Sequence, residues 1–503
     1  LAKTIKGYGL GEAGEGKNIA HNQKKMNEEE LLEFRSRFGI PISDDDVGKA
    51  PFYKPASDSI ELKYVKERRE ALGGPVPSRP TKHPLIEVPT LDEYRARFTD
   101  GTKEGKEMST TMAFVRMLTA LTRDKTIGKH IVPIVPDEAR TFGMEGMFRQ
   151  IGIYASKGQL YEPQDAGELM YYREDKKGQI LEEGINEGGA LCSWIAAGTS
   201  YSNHDVPMIP FYIYYSMFGF QRVGDFIWAA GDMQTRGFLI GGTAGRTTLA
   251  GEGLQHQDGH SLIAASTVPN CHAYDPTYAY ELAVIVQDGM RRMIGEQENV
   301  FYYITCMNEN YAHPPMPAGV EEGILRGMYP LEISKSAGKI RVQLMGSGTI
   351  RREVLGAAEL LMDDFGVVAD VWSVTSFGEL RRDALEVERW NQLHPEEPQR
   401  KSWVENCFGD RSGPYIAATD YMKIVSDQIQ GWVPGTYYSL GTDGYGRSDA
   451  RQPLREHFEV DRRYIAVTAL NALAVDGMLD RKTVAMAIKK YGIDPDRPDP
   501  VNL

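Results

Sequence analysis

Short apolar runs alternate with helical patterns through the middle of the chain. Residues 130–135, 208–215 and 300–305 have the length and composition of buried strands, and residues 110–122 have helical periodicity. Strands that are apolar on both faces are typical of a parallel sheet covered by helices. We therefore predict an α/β fold with a buried, mostly parallel sheet between about residues 107 and 306.

A second strand–helix–strand pattern follows, at residues 340–345, 351–362 and 367–374. A proline cluster at 313–317 separates it from the first sheet, and another at 75–80 ends a polar, glycine-rich opening region that contains a charged helical stretch at 27–38. These patterns predict three regions, with boundaries at residues 1–85, 86–318 and 319–503.

The bulk composition agrees with a large globular protein. The chain has 503 residues, of which 41% are hydrophobic and 25% charged, and two or three domains are expected at this length. A net charge of −13 disfavours nucleic-acid binding, and no apolar run approaches the ~20 residues that span a membrane. The four cysteines lack CxxC spacing, which indicates reduced thiols and a cytoplasmic protein. The first residues contain no apolar leader, so we expect no signal peptide and a start inside a domain.

The glycine-rich opening contains a partial match to a phosphate-binding loop. Residues 11–18 fit GxxxxGK, but Asn18 stands where a magnesium-binding Ser or Thr is needed, and Glu12 and Glu15 would repel phosphate. We interpret the segment as a mobile loop that carries His21 and closes over an active site.

Carboxylates stand at two positions that suit a ligand site. Asp137 and Glu138 come directly after an apolar strand, where open α/β sheets bind ligands, although such residues also cap the following helix. Glu187 stands beside two glycines and before an apolar stretch at 190–197, which suits a partly desolvated group that shares a proton with a ligand.

Aromatic residues and histidines supply two further candidates. The aromatic run 211–220 is mainly typical of core, but Phe218 lies beyond the strand pattern and could offer its face to a planar ring. Glu252, His256, Asp258 and His260 share a glycine-flanked loop. Either a metal site or acid–base histidines fit this loop, and the glycines favour the second interpretation.

Six segments together resemble the homodimeric, bacterial-type decarboxylase component of the pyruvate dehydrogenase complex. They are residues 2–9, 137–145, 183–187, 211–220, 251–260 and 441–449. Transketolase is a more distant relative. The resemblance implies a transketolase-like, thiamine-diphosphate-binding α/β fold, with a parallel-sheet middle domain that binds the aminopyrimidine ring and a transketolase-like C-terminal domain.

The resemblance also implies an activity and partners. Members of this family decarboxylate pyruvate oxidatively with thiamine diphosphate and Mg²⁺, and transfer the acetyl unit to the lipoyl group of dihydrolipoyl acetyltransferase. They are homodimers.

Specific residue roles follow from the same resemblance. Glu187 matches the carboxylate that hydrogen-bonds the aminopyrimidine ring, Phe218 the ring that stacks on it, and Ile185 the residue that supports the bent cofactor. His256 matches a histidine near the reacting centre, and His21 one on a loop that assists lipoyl transfer. Further site-lining positions are Lys6, Asp137, Glu138, Tyr215 and Glu252.

One motif of the family is absent. The Gly-Asp-Gly motif that holds magnesium and the diphosphate does not occur, since residues 231–233 read Gly-Asp-Met. We therefore expect the preceding N-terminal part of the protein to hold both groups, and assign no metal ligand here. Three alternatives stay open: another thiamine-diphosphate 2-oxo acid decarboxylating or transketolase-like enzyme, a non-catalytic fragment, and a nicotinamide oxidoreductase that uses Gly346 and Gly348, although the third glycine of GxGxxG is missing.

Overall fold

The computed structural model describes residues 2–22, 25–74, 80–136, 139–164, 172–335 and 340–503, without the side chains of 94–97. The chain forms two compact units, residues 1–79 and 80–503. Helices of the first unit are α1 (Glu28–Phe38), α2 (Asp44–Val47) and α3 (Ile60–Ala71). Asn27 and Glu30 form a reciprocal cap at the start of α1, with bonds of 2.8 and 2.9 Å, which confirms the predicted helix at 27–38.

A six-stranded sheet organises the first part of the larger unit. Its order is β4-β1-β5-β6-β8-β7, and every neighbouring pair is parallel. The strands in this part of the chain are β1 (Ile131–Val135), β2 (Ile153–Tyr154), β3 (Glu174–Asp175), β4 (Leu181–Glu182), β5 (Ile209–Tyr215), β6 (Phe238–Gly242), β7 (Cys271–Tyr274) and β8 (Phe301–Thr305). β2 and β3 form a separate parallel pair. The three strands predicted from apolar runs are confirmed as β1, β5 and β8.

Helices surround this sheet because its strands are apolar on both faces. They are α4 (Leu91–Phe98), α5 (Thr110–Leu121), α6 (Glu145–Ile151), α7 (Glu187–Gly198), α8 (Ser200–Asn203), α9 (Phe220–Asp232), α10 (Ser261–Ser266), α11 (Ala279–Met290) and α12 (Glu321–Arg326). One continuous hydrophobic core includes β1, β5, β6 and β8 and the inward faces of α5, α7 and α11. Parallel strands place all their carboxyl ends at one edge, where α/β sheets bind ligands.

The C-terminal part contains a second sheet, in the order β13-β12-β10-β11-β9. Its strands are β9 (Met328–Glu332), β10 (Arg341–Gly346), β11 (Val368–Val374), β12 (Tyr415–Ala418) and β13 (Tyr437–Leu440). Its helices are α13 (Arg351–Phe365), α14 (Phe377–Leu393), α15 (Trp403–Phe408), α16 (Ile424–Asp427), α17 (Arg451–His457), α18 (Arg462–Val475) and α19 (Arg481–Lys490). Only β9 pairs antiparallel, so the predicted strand–helix–strand unit is confirmed as β10–α13–β11.

Close packing explains the two glycines after β10. A Cβ at Gly346 would lie 2.7 Å from the Cα of Arg351. Gly348 has a φ of +49°, and a Cβ there would lie 2.7 Å from Asp275 Oδ2. Both positions therefore need glycine for steric reasons that involve no dinucleotide.

A buried carboxylate joins the two sheets. Asp420, after β12, accepts four hydrogen bonds from the main-chain amides and hydroxyls of Thr247 and Thr248, which follow β6. This contact fixes the segment after β6 against the C-terminal part. No helix among the described residues is long and apolar enough to cross a membrane.

Candidate active site

Glu187 opens α7 at the edge of the middle sheet. The Asn186 side chain accepts a 3.0 Å hydrogen bond from the Gly189 amide and so caps the helix. The Glu187 side chain is 13% exposed, and the positive end of α7 stabilises its charge. The carboxylate is thus held at a rigid helix start rather than on a free loop.

Arg222 connects Glu187 to Phe218. Its Nη1 lies 2.9 Å from Glu187 Oε1, and its guanidinium carbon lies 3.9 Å from the centre of the Phe218 ring. Arg222 is itself about half exposed, at 49%. The carboxylate and the aromatic face are therefore placed so that one planar group that donates hydrogen bonds can contact both.

Sequence reasoning missed Arg222. Its spacing of four residues from Phe218 gave no helical signal, because Phe218 lies in a 3-10 turn before α9 and Gly219 between them is not helical. The partner Glu187 lies 35 residues earlier in the chain, and only the tertiary structure brings it near.

Aromatic rings and an imidazole form a cluster beside this pair. Tyr215 ends β5, and its ring centre lies 4.8 Å from that of His256 and 5.9 Å from that of Phe218. Phe218 meets His256 edge-on at 5.4 Å. Phe142, which the sequence analysis did not single out, packs on Tyr215 at 5.4 Å. The structure thus brings together three of the predicted residues, Tyr215, Phe218 and His256.

Glu252 lies close to His256 in the same loop. Burial raises the pKa of the Glu252 carboxyl above its ordinary value, and the nearby charges of His256 and Arg451 act in the opposite direction. A carboxyl with a raised pKa keeps its proton closer to neutral pH, which suits proton transfer.

The loop that carries His256 is clamped by the segment 441–449 of the C-terminal part. The Arg447 amide donates to Gln257 Oε1 at 2.7 Å, and the Ser448 hydroxyl donates to the Glu252 carbonyl at 2.6 Å. The Gly251 amide also donates to the carbonyl of Asp449, at 2.9 Å. Two motifs that stand about 190 residues apart are therefore one structural unit, whose effect is to position His256.

Asp258 and His260, which suggested a metal site, have a structural part. The Asp258 carboxylate is buried and accepts hydrogen bonds from the Ser261 amide and hydroxyl, the His260 amide and Gln221. It therefore fixes the turn that leads into α10. The described residues contain no group of three or more His, Cys, Asp or Glu side chains placed to hold a metal ion.

Ile185 lies two residues before Glu187 and is 77% exposed. An exposed isoleucine at this point is available to contact a ligand, but its supporting role stays a prediction. Asp137 and Glu138, the two predicted strand-end carboxylates, lie outside the described residues.

Lys6 and His21 meet in the first unit. The Lys6 ammonium donates to His21 Nδ1 at 2.6 Å. In the partial phosphate-loop match, the Glu15 carboxylate accepts from the Gly9 amide at 3.2 Å and pairs with Arg37 at 3.0 Å. The Glu15 carboxylate of the match is thus bonded to the amide of Gly9, which precedes the match, and to Arg37.

Comparison with known proteins shows which domains the chain contains. Residues 86–314 match the pyruvate dehydrogenase E1 component middle domain, and residues 327–461 match the transketolase-like C-terminal domain. The pyruvate dehydrogenase E1 component of Pseudomonas aeruginosa is 63% identical over 503 residues, which are 100% of this chain and 57% of that protein. The chain thus carries the middle domain of a pyruvate dehydrogenase E1 component and a transketolase-like C-terminal domain.

Another E1 component, from Escherichia coli K12, is 57% identical over 99% of this chain and 56% of its own length. The chain therefore spans a little over half the length of these E1 relatives. Solved structures share the fold. A transketolase from Campylobacter jejuni matches 94% of this chain and 62% of its own, with a TM-score of 0.62 and 16% identity. A transketolase from Leishmania mexicana matches 94% of this chain and 53% of its own, with a TM-score of 0.55 and 14% identity. The predicted transketolase-like α/β fold is confirmed.

Proposed function

We propose that the full-length protein catalyses the oxidative decarboxylation of pyruvate and transfers the acetyl unit to the lipoyl group of dihydrolipoyl acetyltransferase. Its relatives are named pyruvate dehydrogenase E1 components, and their similarity covers the whole chain. The protein works within the pyruvate dehydrogenase complex, as a cytoplasmic homodimer.

The arrangement of Glu187, Arg222 and Phe218 is the observation that carries this proposal. A planar guanidinium lies over Phe218 and is bonded to Glu187. An aminopyrimidine ring is also planar and also donates hydrogen bonds, so the same carboxylate and aromatic face fit it. Thiamine diphosphate, when bound, supplies the nucleophilic carbon and the electron sink for decarboxylation.

Each residue of the chain has a part in this scheme. Glu187 holds a proton shared with the ring nitrogen of the aminopyrimidine, and Phe218 and Ile185 orient the cofactor. Glu252 and His256 hold and move protons at the substrate oxygens, supported by the raised pKa of Glu252. Tyr215 packs on His256 and fixes its ring orientation.

The remaining predicted residues belong to the same proposal. We assign Asp137 and Glu138, which follow β1 in the sequence, to the site-lining residues, and Lys6 and His21 to a mobile loop that helps lipoyl transfer. We assign residues 1–85 to the tail of a diphosphate-binding domain and a linker, 86–318 to the aminopyrimidine-binding domain, and 319–503 to the C-terminal domain. The N-terminal part of the same protein holds the diphosphate and Mg²⁺.

The test is pyruvate-dependent reduction of an artificial electron acceptor, with thiamine diphosphate and Mg²⁺. The proteins compared are the full-length protein, its Glu187→Ala variant, and the 503-residue chain. Glu28→Ala is a matched control, because Glu28 also opens a helix after a capping Asn but is exposed in the first unit.

We expect activity in the full-length protein and in Glu28→Ala, a loss of at least about tenfold in Glu187→Ala, corresponding to ~1.4 kcal/mol, and no activity in the 503-residue chain. Full activity of Glu187→Ala would contradict the assignment of Glu187. An active 503-residue chain would contradict the placement of the diphosphate site. Activity with a ketose phosphate donor instead of pyruvate would favour a transketolase-like enzyme.

A further inference from the structure

The position of His256 depends on the main chain that carries it. His256 ends a single 3-10 turn, Leu254–His256, and no hydrogen bond among the described residues holds its imidazole. Its ring packs against those of Tyr215 and Phe218, with ring centres 4.8 and 5.4 Å away. Hydrogen bonds in a 3-10 turn have poor geometry, so this turn needs anchors on both sides to keep one position.

The anchors before the turn come from the segment 441–449. The Ser448 hydroxyl donates to the Glu252 carbonyl, and the Gly251 amide donates to the Asp449 carbonyl. The loop that carries His256 contributes main-chain atoms to both of these bonds. They therefore hold the start of the loop whatever its side chains are.

Gln257 supplies the anchor after the turn. Its side chain is buried, and the Arg447 amide donates to Gln257 Oε1 at 2.7 Å. Gln257 Nε2 in turn donates to the Arg447 carbonyl. A carboxamide that exchanges two hydrogen bonds with one residue pairs with it in the same way as a neighbouring strand does, so it fixes both distance and orientation.

Gly446 allows the two segments to approach each other. A Cβ at position 446 would lie 2.8 Å from Gln257 Cβ, which is too close for two carbon atoms in contact. The φ of Gly446 is not positive, so alanine there would add no backbone strain. The glycine is therefore needed for space, because the main chain of the C-terminal part must reach Gln257.

We propose that Gln257 is a positioning residue for the reaction, whose two bonds to Arg447 hold His256 where it exchanges protons with the substrate. This role rests on the proposed function, in which Glu252 and His256 move protons at the substrate oxygens. Gln257 acts through His256, because both polar atoms of its own side chain are bonded to Arg447. A displacement of about 1 Å in a catalytic group can cost roughly a hundredfold in rate, so loss of these bonds should be visible in kcat.

Steady-state kinetics of the full-length protein, with pyruvate and an artificial electron acceptor, test this role. Gln257→Met keeps the length of the side chain but has no donor and no strong acceptor, whereas Gln257→Glu keeps an oxygen that accepts from the Arg447 amide. We expect Gln257→Met to lower kcat at least tenfold and to change the KM for pyruvate less than twofold. Gln257→Glu should recover most of the loss. Gln255→Met is the matched control, since Gln255 lies in the same turn and is exposed, and its kcat should stay within twofold.

Gly446→Ala tests the same contact from the C-terminal part. The added methyl group must displace the segment 441–449 from Gln257, so we expect a similar loss of kcat. Gly431→Ala is the control, because a Cβ there would have no atom within 4 Å, and its kcat should not change.

Two further measurements separate positioning from general damage. Hydrogen exchange of residues 251–260 should become at least tenfold faster in Gln257→Met and Gly446→Ala. The affinity for thiamine diphosphate, measured by fluorescence titration, should stay within threefold, because Glu187 and Phe218 lie on other elements.

Unchanged kcat or unchanged exchange in Gln257→Met, no recovery in Gln257→Glu, or a loss of cofactor affinity as large as the loss of kcat would overturn the proposal. Failure of the proposed function would instead show as inactivity towards pyruvate in the full-length protein without substitutions. The two failures are therefore distinguishable.

Discussion

Asp420→Asn tests the contact that joins the two sheets. The Asp420 carboxylate is fully buried and accepts from the Thr247 amide at 2.9 Å and hydroxyl at 2.7 Å, and from the Thr248 amide at 3.1 Å and hydroxyl at 2.6 Å. An asparagine has the same shape but keeps only one acceptor oxygen. Its NH₂ group would face the two donors of one threonine.

The expected cost follows from the lost bonds. Hydrogen bonds to a charged group contribute about 1.5–3 kcal/mol each, so two lost bonds correspond to about 3–6 kcal/mol. The Thr248 hydroxyl can turn and accept from the new NH₂ group, which restores part of this. We therefore expect the free energy of unfolding to fall by about 3 kcal/mol.

Urea denaturation of the full-length protein, followed by tryptophan fluorescence and circular dichroism, measures the change. Asp476→Asn is the matched control, since Asp476 Oδ1 accepts a single 2.6 Å hydrogen bond from Thr436 at an exposed position. For the control we expect a change within about 0.5 kcal/mol.

A near-neutral Asp420→Asn variant would refute the reasoning. Burial raises the pKa of Asp420, whereas its bonds to Thr248 and Thr247 and the charge of Arg455 act in the opposite direction. Burial is the largest of these effects and the pKa is raised overall. If it were raised far enough for the carboxyl to be protonated in the folded protein, the group would already carry a donor. The asparagine would then reproduce the native bonding, and the stability change would match that of the control.

Three further predictions concern separate parts of the fold. Burial favours the neutral form of Glu379, but the charge and hydrogen bond of His272 hold its pKa below the ordinary 4.5. The ionised carboxylate therefore contributes stability above pH 4.5, and this contribution is lost as the pH falls through the lowered pKa. Glu379→Gln should make the melting temperature fall less steeply with decreasing pH below 4.5, and an unchanged pH dependence would contradict this. Cys192 is exposed, whereas Cys271 is buried and burial raises the pKa of its thiol. A thiol reagent should therefore modify Cys192 much faster than Cys271 in the native protein. Peptide mapping measures the two rates, and equal rates would contradict the prediction. Trp194→Phe removes a 3.1 Å hydrogen bond from a buried indole to a β6 carbonyl, and urea denaturation should register a loss of about 1–3 kcal/mol rather than none.

Five strands and three helices were predicted from the sequence because their signals are local. The apolar runs that became β1, β5 and β8 are buried on both faces, and such strands need an uninterrupted apolar sequence. The capped helix α1 carries its start signal within four residues. The short segments that resemble a known family are also local signals, and the fold class and most of the candidate site residues were predicted from them.

The approach of distant side chains was decided by the tertiary structure. Arg222 meets Glu187 only because α7 and α9 pack side by side, and the segment 441–449 meets the His256 loop only because the C-terminal part folds against the middle sheet. The sequence by itself determined the longer apolar strands, three helices and the motifs, because periodicity and spacing are local properties. Only the packing of elements far apart in the chain decided which charges and rings share a site, because no local pattern encodes a contact between segments that two sheets bring together.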